Sequence, residues 1–154
     1  MKARTFLWSL ALCVAGTTMC FAQSPQMGTW KLNEAKSKIP AGATKNTTVV
    51  YAAAGDEVKV TTDGTNGDGK PVHTEWTGKF DGKDYPLGGN SASDARAYTK
   101  VDDHTLTLTN KKGGKVTSTA HIVVSADGKS RTVHLTGTDS AGKNVTATEV
   151  FDKQ

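Results

Sequence analysis

Cysteine is scarce in this chain of 154 residues: the two copies, Cys13 and Cys20, both lie close to the amino terminus. The sequence after Cys20 therefore has no disulfide framework, no thiol nucleophile and no cysteine ligands for zinc. Proline occurs only 4 times, and aromatic residues make up 6% of the chain. A domain built from this region must be stabilised by its hydrophobic core and its backbone hydrogen bonds.

A long hydrophobic run that could span a membrane is also missing. The apolar stretch FLWSLALCVAG, Phe6–Gly16, is too short to cross a bilayer, follows a positively charged start and precedes small residues in CFAQ. This order predicts a signal peptide over residues 1–22 and one exported domain over 23–154, periplasmic or extracellular. Acylation of Cys20 is the alternative, but bulky Met19 stands where that chemistry favours a small residue.

Clustered positive charge is absent. The chain has 19 basic and 15 acidic residues, and loss of Lys2 and Arg4 with the signal peptide leaves 17 against 15, a net charge of +2. Charges of both signs are interspersed along the chain, and no basic block is longer than Lys111-Lys112. Nucleic-acid binding is not expected, because it depends on clustered cations that displace counterions from phosphates.

The region after the predicted signal peptide has no sustained apolar period of 3.6 residues, which argues against helices. It has 20 threonines, and threonine suits the solvated face of a β-sheet. A period of two places Leu106 and Leu108 on one face of HTLTLTN, His104–Asn110, with threonines on the other. The same period places Val145, Ala147, Glu149 and Phe151 on one face of NVTATEVF, Asn144–Phe151. The pattern predicts β-strands throughout.

Turn signals separate these strands at short intervals. Asp-Gly-Lys occurs at 68–70, 81–83 and 127–129, and Gly113-Gly114-Lys115 has the same character. Short links favour pairing between consecutive strands, so we expect an all-β, antiparallel up-and-down meander that closes into a barrel of about 8–10 strands. A membrane-spanning barrel is disfavoured, because the outer face carries Thr, Lys, His and Glu in place of an apolar band.

Alternation also selects the side chains that face the interior. The expected apolar lining is Trp76, Phe80, Leu106, Leu108, Ile122, Val133, Leu135 and Phe151. Glu149 shares this face with Phe151, and an inward carboxylate is costly unless it is paired or solvated. Two interpretations stay open: Glu149 is a polar group inside a ligand cavity, or it turns to solvent or pairs with a Lys or Arg.

The two ends of the region resemble the calycin superfamily, which comprises lipocalins and intracellular fatty-acid-binding proteins. Gly28-Thr29-Trp30-Lys31-Leu32 is similar to their first-strand signature, and TEVFDKQ, Thr148–Gln154, is similar to the closing strand of the fatty-acid-binding group. The chain also resembles small exported bacterial lipocalin-like proteins. The resemblance implies a barrel that binds a small, partly apolar molecule, with Trp30 and Gly28 as structural residues near the junction of the first and last strands.

Three departures from that family limit the inference about ligands. Glu149 and Phe151 stand where the fatty-acid-binding group has an Arg and a Tyr that hold a carboxylate, so a fatty-acid carboxylate is expected to be repelled there. The segment Glu34–Lys45 is too short for that group's helical lid and has room for one helical turn. Lipocalins pack an Arg over the first-strand Trp, and the nearest candidates for that contact here are Lys31 and Lys153.

Histidines supply the remaining candidates for chemistry. A two-residue loop at Asp127-Gly128 pairs residues whose numbers sum to 255, so His121 should lie opposite His134. Two imidazoles fall short of the three or four ligands that zinc requires, so a solvated pair is favoured and no metal site is predicted. His73 and Glu75 share one strand face, but no nucleophile is positioned beside them. No catalytic residue is predicted.

The sequence thus predicts an exported calycin-like barrel that binds a small apolar or amphipathic molecule non-covalently in its interior. It is expected to be a monomer and not an enzyme, with no cofactor, no nucleic-acid partner and no membrane span. The alternative is a surface module that binds a protein or glycan through its outer strands around a filled core. The size of any internal cavity distinguishes the two, because about ten strands leave room that eight strands fill with their own side chains.

Overall fold

The computed structural model describes residues 24–138 and 141–154, which form ten antiparallel strands and one turn of 3-10 helix, Glu34–Lys36. The strands, β1 to β10, are Gly28–Leu32, Lys45–Ala54, Glu57–Thr65, Pro71–Gly78, Tyr85–Gly89, Ala95–Lys100, Thr105–Lys112, Lys115–Val124, Ser130–Thr138 and Asn144–Lys153. The predicted signal peptide over 1–22 lies outside the described residues.

The strands close into a barrel in which each strand pairs with its neighbours in sequence and β1 pairs with β10. The predicted all-β meander is therefore confirmed, with ten strands. Closure occurs over a short stretch, where Trp30 faces Lys153 and Leu32 faces Phe151. Beyond the end of β1, a single bridge between Lys38 and Thr148 continues the contact with β10. Among the described residues, no helix has the length and apolarity needed to span a membrane.

Short turns set the register, as the Asp-Gly and Gly-Gly signals predicted. The segment Asp63–Lys70, which superficially resembles a calcium loop, is the end of β3 and a hairpin turn. There Asn66 Oδ1 accepts hydrogen bonds from the backbone N–H groups of Asp68 and Lys70, at 3.0 and 2.9 Å. The Gly- and Ser-rich stretch Tyr85–Ala95 contains β5 and the first residue of β6, and residues 90–94 form the loop between them.

Aromatic side chains fill one end of the barrel. The Trp76 ring lies 4.8 Å from the Tyr98 ring and stacks on Phe80 at 6.2 Å, measured between centroids. The Trp76 Nε1–H donates to the Arg96 carbonyl at 2.9 Å, so the indole loses no hydrogen bond on burial. We call this region the packed end and define it by Trp30, Tyr51, Trp76, Phe80 and Tyr98.

The first strand closes the packed end. Trp30 is fully buried, and its Nε1–H donates to the Gln26 carbonyl at 2.8 Å. Gly28 has a φ of +111°, and a Cβ at this position would lie 3.1 Å from Lys153 Cε. The backbone conformation and the close approach of Lys153 both favour glycine here. These contacts agree with a structural role for Trp30 and Gly28.

Candidate ligand-binding site

A cavity of about 430 Å³ occupies the barrel beyond the packed end. Tyr51 and Tyr98 belong to the aromatic core and also line the cavity, so they form the boundary between the two regions. From there the cavity extends to the loops that carry Asn66 and Asn90, of which Asn90 is exposed. The barrel is therefore filled by aromatic rings at one end and hollow toward the other.

The cavity wall divides into an apolar and a polar part. Strands β7, β8 and β9 contribute Leu108, Ile122 and Val133 to the apolar part. Amides and hydroxyls make up most of the polar part, which contains Asn46, Thr62, Thr74, Asn110, Thr117 and Ser118. Among the lining residues that the structure describes, the charged side chains are Arg96, Arg131 and Glu149.

Arg131, the second residue of β9, lies at the deep end of the cavity. Its side chain is 2% exposed, and its guanidinium carbon lies 5.2, 5.1 and 4.7 Å from the ring centroids of Trp30, Tyr51 and Phe151. Its Nε and Nη1 have no hydrogen-bond partner within the described residues. The three rings stabilise the cation by cation–π attraction, but they leave two donors unsatisfied.

Arg96 lines the same cavity from β6. Its Nε–H donates to Asn110 Oδ1 at 2.7 Å, and the Asn110 amide nitrogen in turn donates to Ser118 Oγ at 2.9 Å. The guanidinium carbon lies 5.8 Å from the centroid of the Tyr98 ring. This chain of hydrogen bonds fixes the orientation of Arg96 along three adjacent strands.

Glu149 faces the interior, as its alternation predicted, and is 1% exposed. Its partner is Asn46, whose backbone N–H and side-chain amide each donate to one carboxylate oxygen at 2.9 Å. Burial raises the pKa of Glu149, while the Asn46 hydrogen bonds and the positive charge of Arg131 oppose that rise. Glu149 therefore neither turns to solvent nor pairs directly with a Lys or Arg of the described residues.

The position of Asn46 follows from a strand irregularity. The register between β2 and β3 shifts between Asn46 and Thr48, and such a shift turns a backbone N–H away from the ladder. The Asn46 N–H reaches Glu149 on β10, across the part of the barrel that β1 is too short to cover. Glu149 and Asn46 thus connect β2 to β10 beyond the end of β1.

Six of the predicted lining residues lie on the cavity wall: Leu108, Ile122, Val133, Leu135, Glu149 and Phe151. Trp76, Phe80 and Leu106 do not line it. They point inward as predicted, but they belong to the aromatic and aliphatic packing beside the cavity. Alternation identifies the inward face of a strand and gives no information about the level along the barrel axis.

Neither Arg96 nor Arg131 was predicted from the sequence to line the cavity. Arg131 shares the two-residue period of Val133 and Leu135, which indicates that its side chain points inward. Its position close to the turn at Asp127-Gly128, however, favoured a solvated side chain. Phe151 pairs directly with Arg131 across β9 and β10, so the positive charge lies one strand away from the expected position. The expected repulsion of a fatty-acid carboxylate at Glu149 and Phe151 stays a prediction, and Arg131 adds a positive charge beside these two positions.

The cation over Trp30 is also identified. Lys153 Nζ lies 5.1 Å from the Trp30 ring centroid, and Arg131 lies at a similar distance on the cavity side. Lys31, the other candidate, is exposed. Lys153 Nζ also donates to the Pro25 carbonyl at 3.2 Å, which ties the chain before β1 to the last strand.

The histidine predictions concern the outer surface. His121 and His134 are paired across β8 and β9 as expected, and both are exposed. His73 Nδ1 lies 2.7 Å from Asp63 Oδ1, while Glu75 forms its closer ion pair with Lys59 at 2.8 Å. Within residues 24–138 and 141–154, no group of three or more His, Cys, Asp or Glu side chains is arranged to hold a metal ion.

Comparisons with known proteins add little. No family model and no curated protein matches the chain. Among solved structures, it is similar to a redesigned β-barrel, mFAP1, bound to DFHBI, with a TM-score of 0.43 and 17% sequence identity over 84% of this chain and 98% of that chain. A similarity of this size says nothing further about the fold or the ligand of this chain.

Proposed function

We propose that this protein binds a small, partly apolar organic molecule non-covalently inside the barrel and carries out no reaction on it. The observation that carries the proposal is the cavity of about 430 Å³, whose wall combines apolar side chains on β7 to β9 with polar side chains on these and other strands. This volume falls in the usual range of small-molecule sites, about 300–1,000 Å³. The alternative function, a surface module, was expected to have a filled core, which the cavity does not favour.

Unsatisfied polar atoms on the cavity wall give independent support. Arg131 Nε, Arg131 Nη1 and Thr74 Oγ1 are buried without a hydrogen-bond partner within the described residues. Each such atom costs about 1–3 kcal/mol of folding free energy. A wall that keeps three of them around one cavity is suited to a ligand that supplies the missing partners.

The polar groups of the wall are suited to recognition. Ser93 Oγ and Thr117 Oγ1 lie 2.8 Å apart, so these two hydroxyls contact each other and not a general base. Neither His nor Cys is among the lining residues that the structure describes. A hydroxyl nucleophile needs an adjacent base, which supports binding without catalysis.

We further propose that the protein is exported and acts as a monomer.

The test compares variants that fill the cavity with variants that change only the outer surface. Ala120 is buried and lines the cavity, whereas its neighbour Thr119 is exposed on the outside of the same strand. Mass spectrometry of protein purified under native conditions should detect a small molecule released from the wild type and from Thr119→Phe. Ala120→Phe, once shown to be folded by circular dichroism, should release none.

Equal amounts of the same molecule from all three proteins would place it on the outer surface and contradict the proposal. The recovery of no molecule from wild type, with no binding of any member of a mixed panel of charged and neutral aromatic fragments, would also contradict it.

A further inference from the structure

The charges on the cavity wall do not balance. Two arginines, Arg96 and Arg131, face one carboxylate, Glu149. Neither guanidinium lies within 4.0 Å of a carboxylate oxygen among the described residues, although eight lysine–carboxylate ion pairs occur on the exterior of the same part of the chain. The described part of the wall therefore has a surplus of one positive charge when Glu149 is ionised and of two when it is protonated.

This surplus is unusual because buried charges are ordinarily paired. Exposed lysines of the same barrel have carboxylate partners, as Lys59 has in Glu75 at 2.8 Å. Burial strengthens electrostatic interaction and raises the cost of leaving a charge unpaired. Arg131 is nine-tenths or more buried, has two unpartnered nitrogens and lines the cavity, so the missing partner can come from a molecule that enters it.

We propose that the ligand of this cavity is a small, hydroxylated organic acid whose anionic group binds at Arg96 and Arg131. This inference rests on the proposed function and adds the chemical class of the ligand. A guanidinium presents its donors in a fixed planar fork that matches a carboxylate or sulfonate. Arg131 is held among Trp30, Tyr51 and Phe151, and Arg96 is held by Asn110, so both forks are preorganised before the ligand arrives.

Glu149 does not cancel this preference. Both of its oxygens already accept hydrogen bonds from Asn46, which holds the carboxylate against β2. Its register partner is Val133, whereas Arg131 pairs with Phe151, so the two charges are diagonal neighbours on adjacent strands. Long side chains can reach across such a diagonal of about 7–8 Å. No Arg131 nitrogen lies within 4.0 Å of a Glu149 oxygen, however, so the two charges attract each other without forming a direct pair.

The polar wall sets the rest of the ligand's chemistry. The hydroxyl of Thr74, which has no hydrogen-bond partner among the described residues, lines the cavity. The amides of Asn66, Asn90 and Asn110 also line it and already have hydrogen bonds within the protein. Hydroxyl groups on a ligand can both donate to and accept from such side chains. A long alkyl chain would displace water from these polar groups and offer them no hydrogen bonds in return, which costs binding free energy for each group that it covers. The cavity should therefore prefer a hydroxylated acid over a fatty acid of equal charge.

The experiment measures the binding of matched probes to the purified chain by calorimetry and by NMR of the arginine Nε–H groups. The probes are trihydroxybenzoate, its neutral isostere trihydroxybenzamide, unsubstituted benzoate and decanoate. Trihydroxybenzoate should bind at least about tenfold more tightly than the amide, which is the effect of one charge-assisted hydrogen-bonded pair. It should also bind more tightly than benzoate and decanoate, and shift the Nε–H resonances of Arg96 and Arg131.

Arg96→Gln should reduce the affinity for trihydroxybenzoate to that for the amide and leave the affinity for the amide unchanged. Lys59→Gln is the matched control, because it removes the same charge from the outside of the barrel and should change neither affinity. Arg131→Lys keeps the charge but loses the planar fork, and it should weaken the acid more than the amide.

Equal affinities of acid and amide would overturn the anion preference and leave the proposed function intact. Tighter binding of decanoate than of trihydroxybenzoate would overturn the hydroxylated class. If no probe binds and no Nε–H resonance moves, this inference is wrong. The proposed function is then decided separately by the molecule that co-purifies with wild type and is lost in Ala120→Phe.

Discussion

Arg131 and Phe151 face each other across β9 and β10, and the guanidinium carbon lies 4.7 Å from the centre of the phenyl ring. Trp30 and Tyr51 contact the same guanidinium from two other strands. The contact brings together residues from both ends of the chain at the level where the aromatic packing gives way to the cavity. It keeps in the interior a positive charge that forms no direct ion pair with a carboxylate of the described residues.

Replacing Arg131 with Met should leave the free energy of unfolding within about 1 kcal/mol of wild type, or raise it. Two unpartnered donors, worth about 1–3 kcal/mol each, disappear, while cation–π attraction of up to about 2 kcal/mol is lost. Urea denaturation measures the difference. Arg131→Ala is the control and should be clearly less stable than the Met variant, because it also loses the packing of the side-chain stem. A loss of more than about 3 kcal/mol in Arg131→Met would mean that the guanidinium is a paired structural charge.

Trp30→Ala should lower the free energy of unfolding by about 3–5 kcal/mol, the usual cost of emptying a buried aromatic site. Trp30 is fully buried and anchors the segment before β1 through its hydrogen bond to the Gln26 carbonyl. Urea denaturation followed by the fluorescence of Trp76 measures the change. Val116→Ala on the outer surface, where Val116 is 59% exposed, should shift the midpoint little. A small shift in Trp30→Ala would remove the structural role assigned to this residue.

The stability of Glu149→Gln relative to wild type should increase as pH rises. Burial raises the pKa of Glu149 in the folded protein, so the folded state holds the proton more tightly than the unfolded state does. The stabilisation that results is complete below the unfolded value of about 4.3 and is lost as pH rises through the folded pKa. Glutamine does not titrate, so the difference between the two proteins isolates this one group.

Thermal or urea unfolding at a series of pH values measures that difference. The loss of one Asn46 hydrogen bond in the variant adds an offset that does not depend on pH. The charged group that acts on Glu149 from the neighbouring strand is Arg131, so Arg131→Met should raise the pKa of Glu149 further and extend the slope to higher pH. A flat difference between pH 4 and neutrality, read against the usual Glu pKa of about 4.3, would contradict the raised pKa.

Zinc should bind only weakly at His121 and His134. The two imidazoles face each other on the outer surface, and zinc sites ordinarily use three or four protein ligands. Calorimetric titration at neutral pH should detect no submicromolar site. His121→Ala is the control that separates this pair from binding elsewhere. A tight site that disappears in His121→Ala would reveal further ligands that the described residues do not bring together.

The strand pattern and the register of the hairpins follow from the sequence. Period-two alternation identifies inward faces because successive side chains on a strand point to opposite sides, and short Asp-Gly and Gly-Gly turns leave little freedom in pairing. His121 opposite His134 and the inward Glu149 are both of this kind. Each depends on residues within one hairpin or one strand, so local chemistry is sufficient to predict it.

The tertiary structure alone decides which inward residues pack together and which line the cavity. Trp76 and Leu108 both point inward, yet Trp76 joins the packed end and Leu108 the cavity wall. Their level along the barrel depends on the accumulated register of ten strands, including the shift at Asn46. Asn46 and Glu149 meet across 103 residues of sequence, and Arg131 meets Trp30 only because β1 closes on β10. Closure of the barrel decides these contacts, and no single stretch of the sequence encodes that closure.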